Sequence, residues 1–290
     1  MDWLGLSLVS AFTLATADAL TKRYLSHYLA RELVLVRFGI TGILLLPLLV
    51  VRSWPELPLP FWYWVAALLP FEILAMWLYM QAIRQSPLSL TLPYLAFTPV
   101  FNTLTAYLLL GETVTLQGFS GIALVVCGVW LLNLDSARNG HGLDLFAPFR
   151  AILREPGSRR MLMVALLYSL TSVLGKGALQ YTEPGFFGPF YFVLLGLVTA
   201  LLFGLRNHNP FRVLTRHPWA HLGVGVFMAV MVVTHFYAIE HVEVAYMIAV
   251  KRTSLLFGML YGAWLFAETG LVKNLVAGVL MILGILLIVG

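Results

Sequence analysis

Apolar runs alternate along the chain with short stretches of charged, proline and glycine residues. Each run approaches the ~20 residues that a helix needs to cross a bilayer. The pattern predicts ten membrane-spanning helices, over residues 3–21, 33–51, 61–83, 88–110, 115–134, 160–180, 186–205, 219–239, 244–266 and 271–289. We therefore expect an all-α fold, that of a polytopic membrane protein.

One connection is much longer than the others and divides the chain into two sets of five helices. It predicts a first five-helix unit over residues 1–134, a linker over 135–159 and a second five-helix unit over 160–290. Within the linker, apolar residues recur at roughly helical spacing beside Arg150 and Arg154. This spacing is typical of a short helix that lies on the membrane surface.

The two units resemble each other when they are aligned at a spacing of 156 residues. The segment Met80–Gln85 (MQAIRQ) then lies on Phe236–His241 (FYAIEH), and Glu112 lies on Glu268. The identities are few, so chance similarity between apolar segments is the alternative. Because each unit has an odd number of helices, two successive copies would enter the membrane in opposite directions, which predicts two inverted repeats.

The composition also indicates a protein embedded in a membrane. Hydrophobic residues make up 60% of the chain and charged residues 11%, against about 45–50% and about 25% in soluble domains. The formal net charge of +5 does not require nucleic acid as a partner, since basic loops face anionic lipid at the cytoplasmic surface. Basic residues concentrate after the odd-numbered helices, with Arg52 alone on the other side, so both termini are predicted to lie outside. The single cysteine, Cys127, excludes a disulfide framework.

Lys251 and Arg252 stand side by side within the ninth predicted helix. Each buried cation costs roughly 2.5–3.5 kcal/mol on insertion scales, so water, a carboxylate or a ligand must offset the pair. An Arg fork beside a Lys point charge suits a phosphate or a carboxylate. The sequence therefore predicts a substrate or coupling site here, and the alternatives are an ion pair with Glu72 or a lysine that reaches toward the helix end.

Three further cations lie in or near predicted helices. Lys176, which has Gly175 and Gly177 on either side, is expected in the substrate cavity. Its counterpart Lys22 is nearer the end of the first helix, where an interfacial position is the simpler interpretation. Arg37, near the start of the second helix, is expected to contact lipid headgroups or a loop.

Glu72 is interpreted as the central acid of the predicted bundle. It is expected either to carry coupling protons, because a desolvated carboxyl group retains its proton more readily, or to neutralise Arg252. Glu112 and Glu268 follow the fourth and ninth helices, where carboxylates cap the backbone N–H groups of the helices that come next.

Polar and aromatic residues within the helices complete the candidate substrate site: His235, Tyr79, Tyr94, Asn102, Tyr246 and Trp77. Pro93 and Pro99 interrupt the fourth helix and predict a hinge. The remaining tryptophans that border the helices, Trp62, Trp64, Trp219 and Trp264, are expected to be interfacial anchors.

The ends of the two units share one layout. The segments Leu108–Leu132 and Trp264–Ile288 each contain a small residue, a glutamate and then a glycine-bearing helix. This layout, together with Ser86–Glu112, resembles the EamA-type repeat of the drug/metabolite transporter superfamily. The resemblance covers nearly the whole chain and implies a central cavity lined mainly by helices one to four and six to nine. The Lys251 and Arg252 pair is also similar to a Lys-Arg pair that holds phosphate in plastid phosphate translocators of that superfamily.

These observations favour a secondary transporter that moves a small polar metabolite with a phosphate or carboxylate group by alternating access. A proton-coupled exporter of zwitterions or drugs is the runner-up, and a lipid-phosphate flippase is the third candidate. No nucleotide-binding, HExxH or GxSxG motif is present, so neither a cofactor nor an enzymatic activity is expected. The partners expected are the substrate and the bilayer, in the cytoplasmic membrane of a bacterium or archaeon, and a homodimer is compatible with the sequence.

Overall fold

The computed structural model describes residues 2–85, 92–132, 156–204, 213, 216–266 and 271–289. Helices account for nearly all of this part of the chain. In chain order they are α1 (Trp3–Leu25), α2 (Ala30–Leu35), α3 (Thr41–Val50), α4 (Leu59–Gln85), α5 (Thr98–Leu110), α6 (Leu116–Leu132), α7 (Pro156–Leu179), α8 (Pro184–Gly204), α9 (Pro218–Glu240), α10 (Val244–Lys251), α11 (Ser254–Phe266) and α12 (Leu271–Val289). A wider π-helical turn over Val36–Ile40 joins α2 to α3, and a 3-10 segment over Leu92–Phe97 precedes α5.

Every predicted span contains a helix. Within the described residues, six helical stretches are long and apolar enough to cross a membrane, and they begin at residues 3, 30, 59, 156, 184 and 218. The second of them runs through α2, the π-helical turn and α3. Three shorter apolar helices, Tyr94–Leu110, Leu116–Gly128 and Gly278–Ile288, lie within other predicted spans. The predicted surface helix of the linker lies outside the described residues, as does Glu268.

The ninth predicted helix is not continuous, which corrects the prediction. Helix α10 ends at Lys251, a turn contains Arg252 and Thr253, and α11 begins at Ser254. The Arg252 N–H donates back to the carbonyl groups of Ile248 and Ala249, at 3.1 Å in each case. Thr and Ser compete with the helical backbone for hydrogen bonds and favour helix ends, so this short polar run can end one helix and begin another.

The fourth predicted helix also changes geometry along its length. Its first part, Leu92–Phe97, is 3-10 helix, and the α-helical part begins at Thr98, with Pro99 in the first turn. Proline lacks the N–H that an α-helix interior requires but fits its first turn. The change therefore occurs at the predicted hinge, although whether the segment moves remains a prediction.

Helix pairs bring the two units together. Helix α1 packs against α9 and α11, α4 against α7, α3 against α8, and α6 against α12. The α6–α12 contact depends on glycine, because a Cβ atom on Gly121 would lie 2.6 Å from the carbonyl oxygen of Gly284, and the reverse substitution meets the same obstacle. Small residues allow membrane helices to approach this closely.

Large apolar side chains cover the outer faces of the helices. Val51, Trp219 and Trp264 are among the most exposed of them, and exposed leucines continue along α8 and α12. A soluble protein rarely exposes so much contiguous apolar surface. This surface therefore suits contact with lipid, while the polar groups described below lie inside the bundle.

Candidate functional site

Among the polar side chains inside the bundle, we call eight described ones the central cluster. They are Asp18 on α1, Arg37 between α2 and α3, Glu72 and Tyr79 on α4, Tyr168 on α7, His235 on α9, and Lys251 with Arg252 at the end of α10. Tyr168 lies within electrostatic range of both carboxylates and of both guanidinium groups. Helices from both units therefore contribute to one polar region inside the membrane.

The structure brings together Lys251 and His235, two of the predicted site residues. The Lys251 Nζ atom lies 3.1 Å from His235 Nδ1 and 3.3 Å from the Met231 sulfur. Because an ammonium group only donates, His235 Nδ1 accepts and its ring proton resides on Nε2. Lys251, only 9% exposed, is thus hydrogen-bonded to a neutral acceptor, which leaves its charge available to an anion.

Arg252 is the least satisfied cation of the central cluster. It is 5% exposed, and its Nε atom has no hydrogen-bond partner. Among the described residues, no carboxylate oxygen lies within 4.0 Å of Arg252 or Lys251. Glu72 instead lies near Thr171 and interacts with Lys251 over a longer range. The structure therefore does not form the direct ion pair with Glu72 that was the alternative interpretation of these cations.

The prediction that Arg37 contacts headgroups or a loop is wrong. Arg37 is 1% exposed and forms an ion pair with Asp18, and it also donates to Thr21 at 3.2 Å. Tyr79 donates to the other Asp18 oxygen at 3.1 Å. Asp18 is therefore an interior acid that the sequence interpretation missed, although its position within an apolar helix was a usable signal.

Lys176, which is expected in the substrate cavity, forms an ion pair with a carboxylate of the first unit. Its Nζ atom lies 2.5 Å from Glu112 and donates to the Val242 carbonyl at 2.6 Å. The other Glu112 oxygen accepts from Val244 N at 2.9 Å. Glu112 thus caps the start of α10 and not that of the helix that follows it in sequence, because the chain folds the α5–α6 connection against the α9–α10 connection.

Two aromatic residues predicted for the site lie elsewhere. Tyr246 bonds through its hydroxyl group to the backbone N–H and side chain of Thr115, at 3.0 and 3.2 Å. Trp77 is 36% exposed and shares an outer face of α4 with Leu74. At 100° per residue, it points about 140° away from Glu72. These residues anchor a connection and cover an outer face, respectively.

The remaining candidates are placed near the cluster or at helix ends. Asn102 is fully buried on α5, where it accepts from Ser172 Oγ at 3.0 Å, while its Nδ2 atom has no partner. Tyr94 is buried in the 3-10 segment that begins with Leu92 and Pro93. Lys22 occupies the last turn of α1 and is half-buried. Their roles in binding remain predictions.

The charges of the central cluster do not cancel. Arg37 forms an ion pair with Asp18, whereas Lys251 interacts with Glu72 and Arg252 with Asp18 only over longer ranges. The central cluster thus contains three basic side chains, Arg37, Lys251 and Arg252, and the two carboxylates of Asp18 and Glu72. One positive charge is therefore left over, with hydrogen-bonding capacity on a buried guanidinium group. This arrangement can hold an anion in a region from which bulk water is largely excluded.

Long apolar helices around an inward-facing charged cluster define a polytopic membrane protein of the transporter class. The model of the EamA-like transporter family matches residues 1–134 and 159–290. The chain belongs to this family, which lies within the drug/metabolite transporter superfamily.

Relatives from Yersinia match a short part of the chain. One is the "Probable 4-amino-4-deoxy-L-arabinose-phosphoundecaprenol flippase subunit ArnE" of Yersinia pseudotuberculosis serotype O:1b (strain IP 31758), 36% identical over 70 residues. The protein of that description from Yersinia pestis (strain Pestoides F) matches equally. Each match covers 24% of this chain and 61% of the relative. A solved crystal structure shares the fold over 98% of this chain and 94% of its own, with a TM-score of 0.71 and 16% identity.

Proposed function

We propose that this protein is a secondary transporter that carries a small anionic metabolite, with a phosphate or carboxylate group, by alternating access. The observation that carries the proposal is the buried pair at the α10–α11 break. Arg252 has an unpartnered Nε atom and no carboxylate within 4.0 Å among the described residues. Lys251 beside it is bonded to neutral acceptors. A bound anion would supply the missing charge and acceptor.

The helix pairing supports an inverted two-fold relation between the units. If the first predicted helix corresponds to the sixth, and so on, such an axis exchanges the α1–α9 pair with the α4–α7 pair. The same axis maps the α6–α12 pair and the α3–α8 pair onto themselves, and all four pairs are present. Inverted repeats with a broken helix at the substrate site are a common basis for alternating access.

Ligand-induced stabilisation of the purified protein tests the anion site. Inorganic phosphate, glycerol 3-phosphate and succinate are compared with choline by thermal unfolding in detergent. A ligand at about 100 times its Kd stabilises the native state by about 2.7 kcal/mol. We expect the anions to raise the Tm of the wild type, and Lys251→Met and Arg252→Gln to lose this response.

An exposed cation provides the matched control. Arg216→Gln removes one positive charge at the surface and should retain the full response to anions. Size-exclusion profiles and unliganded Tm values show whether each variant is folded. Equal stabilisation of wild type and Arg252→Gln by phosphate would contradict the proposal.

A flippase for a lipid-linked phosphate is the second candidate, favoured by the similarity to ArnE described above. Both candidates use an anion at the same cations, so binding of soluble phosphates does not separate them. Reconstituted vesicles do, because a flippase moves a fluorescent lipid phosphate between leaflets, whereas a metabolite carrier moves radiolabelled glycerol 3-phosphate. Proton coupling through Glu72 would appear as transport that follows a pH gradient and fails in Glu72→Gln.

A further inference from the structure

The central cluster also contains a carboxylate that forms no ion pair in the described part of the chain. Glu72 is half-buried in the middle of α4. Among the residues that the structure describes, no Lys, Arg or His nitrogen lies within 4.0 Å of its carboxylate. Thr171 lies near it, and the carboxylate retains lone pairs that can accept hydrogen bonds.

Two tyrosines interact with this carboxylate. Tyr168 and Tyr191 both lie within electrostatic range of Glu72. Tyr191 is buried, and its hydroxyl group has no hydrogen-bond partner in the described part of the chain. Its ring stacks on Phe187 at 5.7 Å and meets the edge of Phe236 at 6.3 Å. A carboxylate, an unused hydroxyl group and aromatic rings together suit a primary ammonium group.

The following inference rests on the proposed anion site. We propose that the ligand also carries a primary ammonium group. The ammonium group binds between Glu72 and Tyr191, while the phosphate group of the same ligand binds Lys251 and Arg252. Tyr168 lies within electrostatic range of both Glu72 and Arg252, so one ring is near both proposed poles of the site. The ligand class is therefore a small phosphate that bears an amine.

Charge balance favours a phosphate monoester over an amino acid. The central cluster contains three basic groups, those of Arg37, Lys251 and Arg252, against the two carboxylates of Asp18 and Glu72. A ligand with net charge near −1 therefore neutralises the site. A phosphate monoester carries about −1.5 to −2 at neutral pH, and one ammonium group brings it close to −1. An amino acid is neutral overall and would leave a buried positive charge.

A matched pair of ligands tests the ammonium pole. O-phosphoethanolamine and propyl phosphate have similar size and differ by the ammonium group. We expect the wild type to bind O-phosphoethanolamine about tenfold more tightly or better, as hydrogen bonds to charged groups predict. Glu72→Gln should reduce this preference to less than about twofold while its affinity for propyl phosphate persists. Glu183→Gln, which removes an exposed acid, should keep the wild-type preference.

Tyr191→Phe keeps the test decisive if Glu72→Gln does not fold. It removes a hydroxyl group that has no partner in the unliganded protein, so the unliganded Tm should stay the same or rise. Affinity for O-phosphoethanolamine should fall and that for propyl phosphate should not. Wild-type protein that binds both ligands equally would overturn the ammonium pole and leave the anion site intact, whereas no response to either would overturn the proposed function itself.

The same phosphate and amine chemistry also occurs on lipid headgroups. Lysophosphatidylethanolamine is a lipid whose headgroup carries both a phosphate and an amine. Lysophosphatidylglycerol is the matched lipid without the amine. If the protein prefers O-phosphoethanolamine over propyl phosphate and this preference depends on Glu72, the ligand is a soluble metabolite. If the preference for the amine is found only between the two lysolipids, the ligand is a lipid headgroup that binds at the same pole. Preference in neither pair refutes the inference.

Discussion

The ion pair between Lys176 and Glu112 should hold the two units together measurably. Lys176 Nζ lies 2.5 Å from Glu112 and 2.6 Å from the Val242 carbonyl, and Glu112 also accepts from Val244 N at 2.9 Å. Removing one partner of a fully buried pair costs about 3–5 kcal/mol. These side chains retain 17% and 14% exposure, so we expect each of Lys176→Met and Glu112→Gln to lower the free energy of unfolding by about 2–3 kcal/mol.

A double-mutant cycle isolates the pair itself. Unfolding free energies of the wild type, both single variants and Lys176→Met/Glu112→Gln are measured by SDS titration in mixed micelles. We expect a coupling energy of about 1–3 kcal/mol, because the double variant no longer has an uncompensated charge. The exposed pair of Arg52 and Glu183, at 3.5 Å, serves as the control cycle and should give less than about 0.5 kcal/mol. A coupling energy as small as that of the control would refute the reasoning.

Three further changes test other contacts by the same titration. Asp18→Asn should lower the free energy of unfolding by about 3–5 kcal/mol, because it leaves Arg37 charged and buried without a carboxylate. If this variant were as stable as the wild type, the ion pair would be contradicted. Combining Asp18→Asn with Arg37→Met should recover part of the loss. Gly284→Leu should cost about 1–3 kcal/mol, because its side chain meets the backbone of α6, and an unchanged value would show that the helices can separate freely. Tyr246→Phe should cost about 1 kcal/mol through the lost bonds to Thr115 and should leave the Tm shift with phosphate unchanged; loss of that shift would return Tyr246 to the binding site.

Helix positions could be predicted from the sequence because the signal is local. A span of about 20 apolar residues needs no tertiary information, since any helix that crosses a bilayer must meet this length. The predicted ends therefore lie close to those observed, as at 61–83 against Leu59–Gln85. The break at Arg252 was missed because the apolar run continues through it, and hydropathy does not distinguish one long helix from two short ones.

Charge partners could not be predicted, because they depend on which helix faces meet. Arg37 near a helix start looks the same in the sequence whether it reaches lipid headgroups or turns inward toward Asp18. Lys176 and Glu112 are neutralised by each other only because two connections distant in sequence pack together. Lys251 and His235 lie inside the bundle, where intramembrane polar side chains nearly always face, and their role in binding stays a prediction. Their direct contact required the packing of α9 and α10.

Helix α10 connects the ion pair of Lys176 and Glu112 to the cations of the proposed anion site, Lys251 and Arg252. Its first residue is held by Glu112 and its third, Tyr246, by Thr115, so a helix of the second unit is attached to a connection of the first. Lys251 ends the same helix, about 10 Å further along at 1.5 Å per residue. An α-helix is stiff, whereas the regular α-helical hydrogen bonding is interrupted at Arg252 and Thr253. If the units move relative to each other during transport, α10 should therefore move with the α5–α6 connection, and the chain should bend at the turn that carries the proposed anion site.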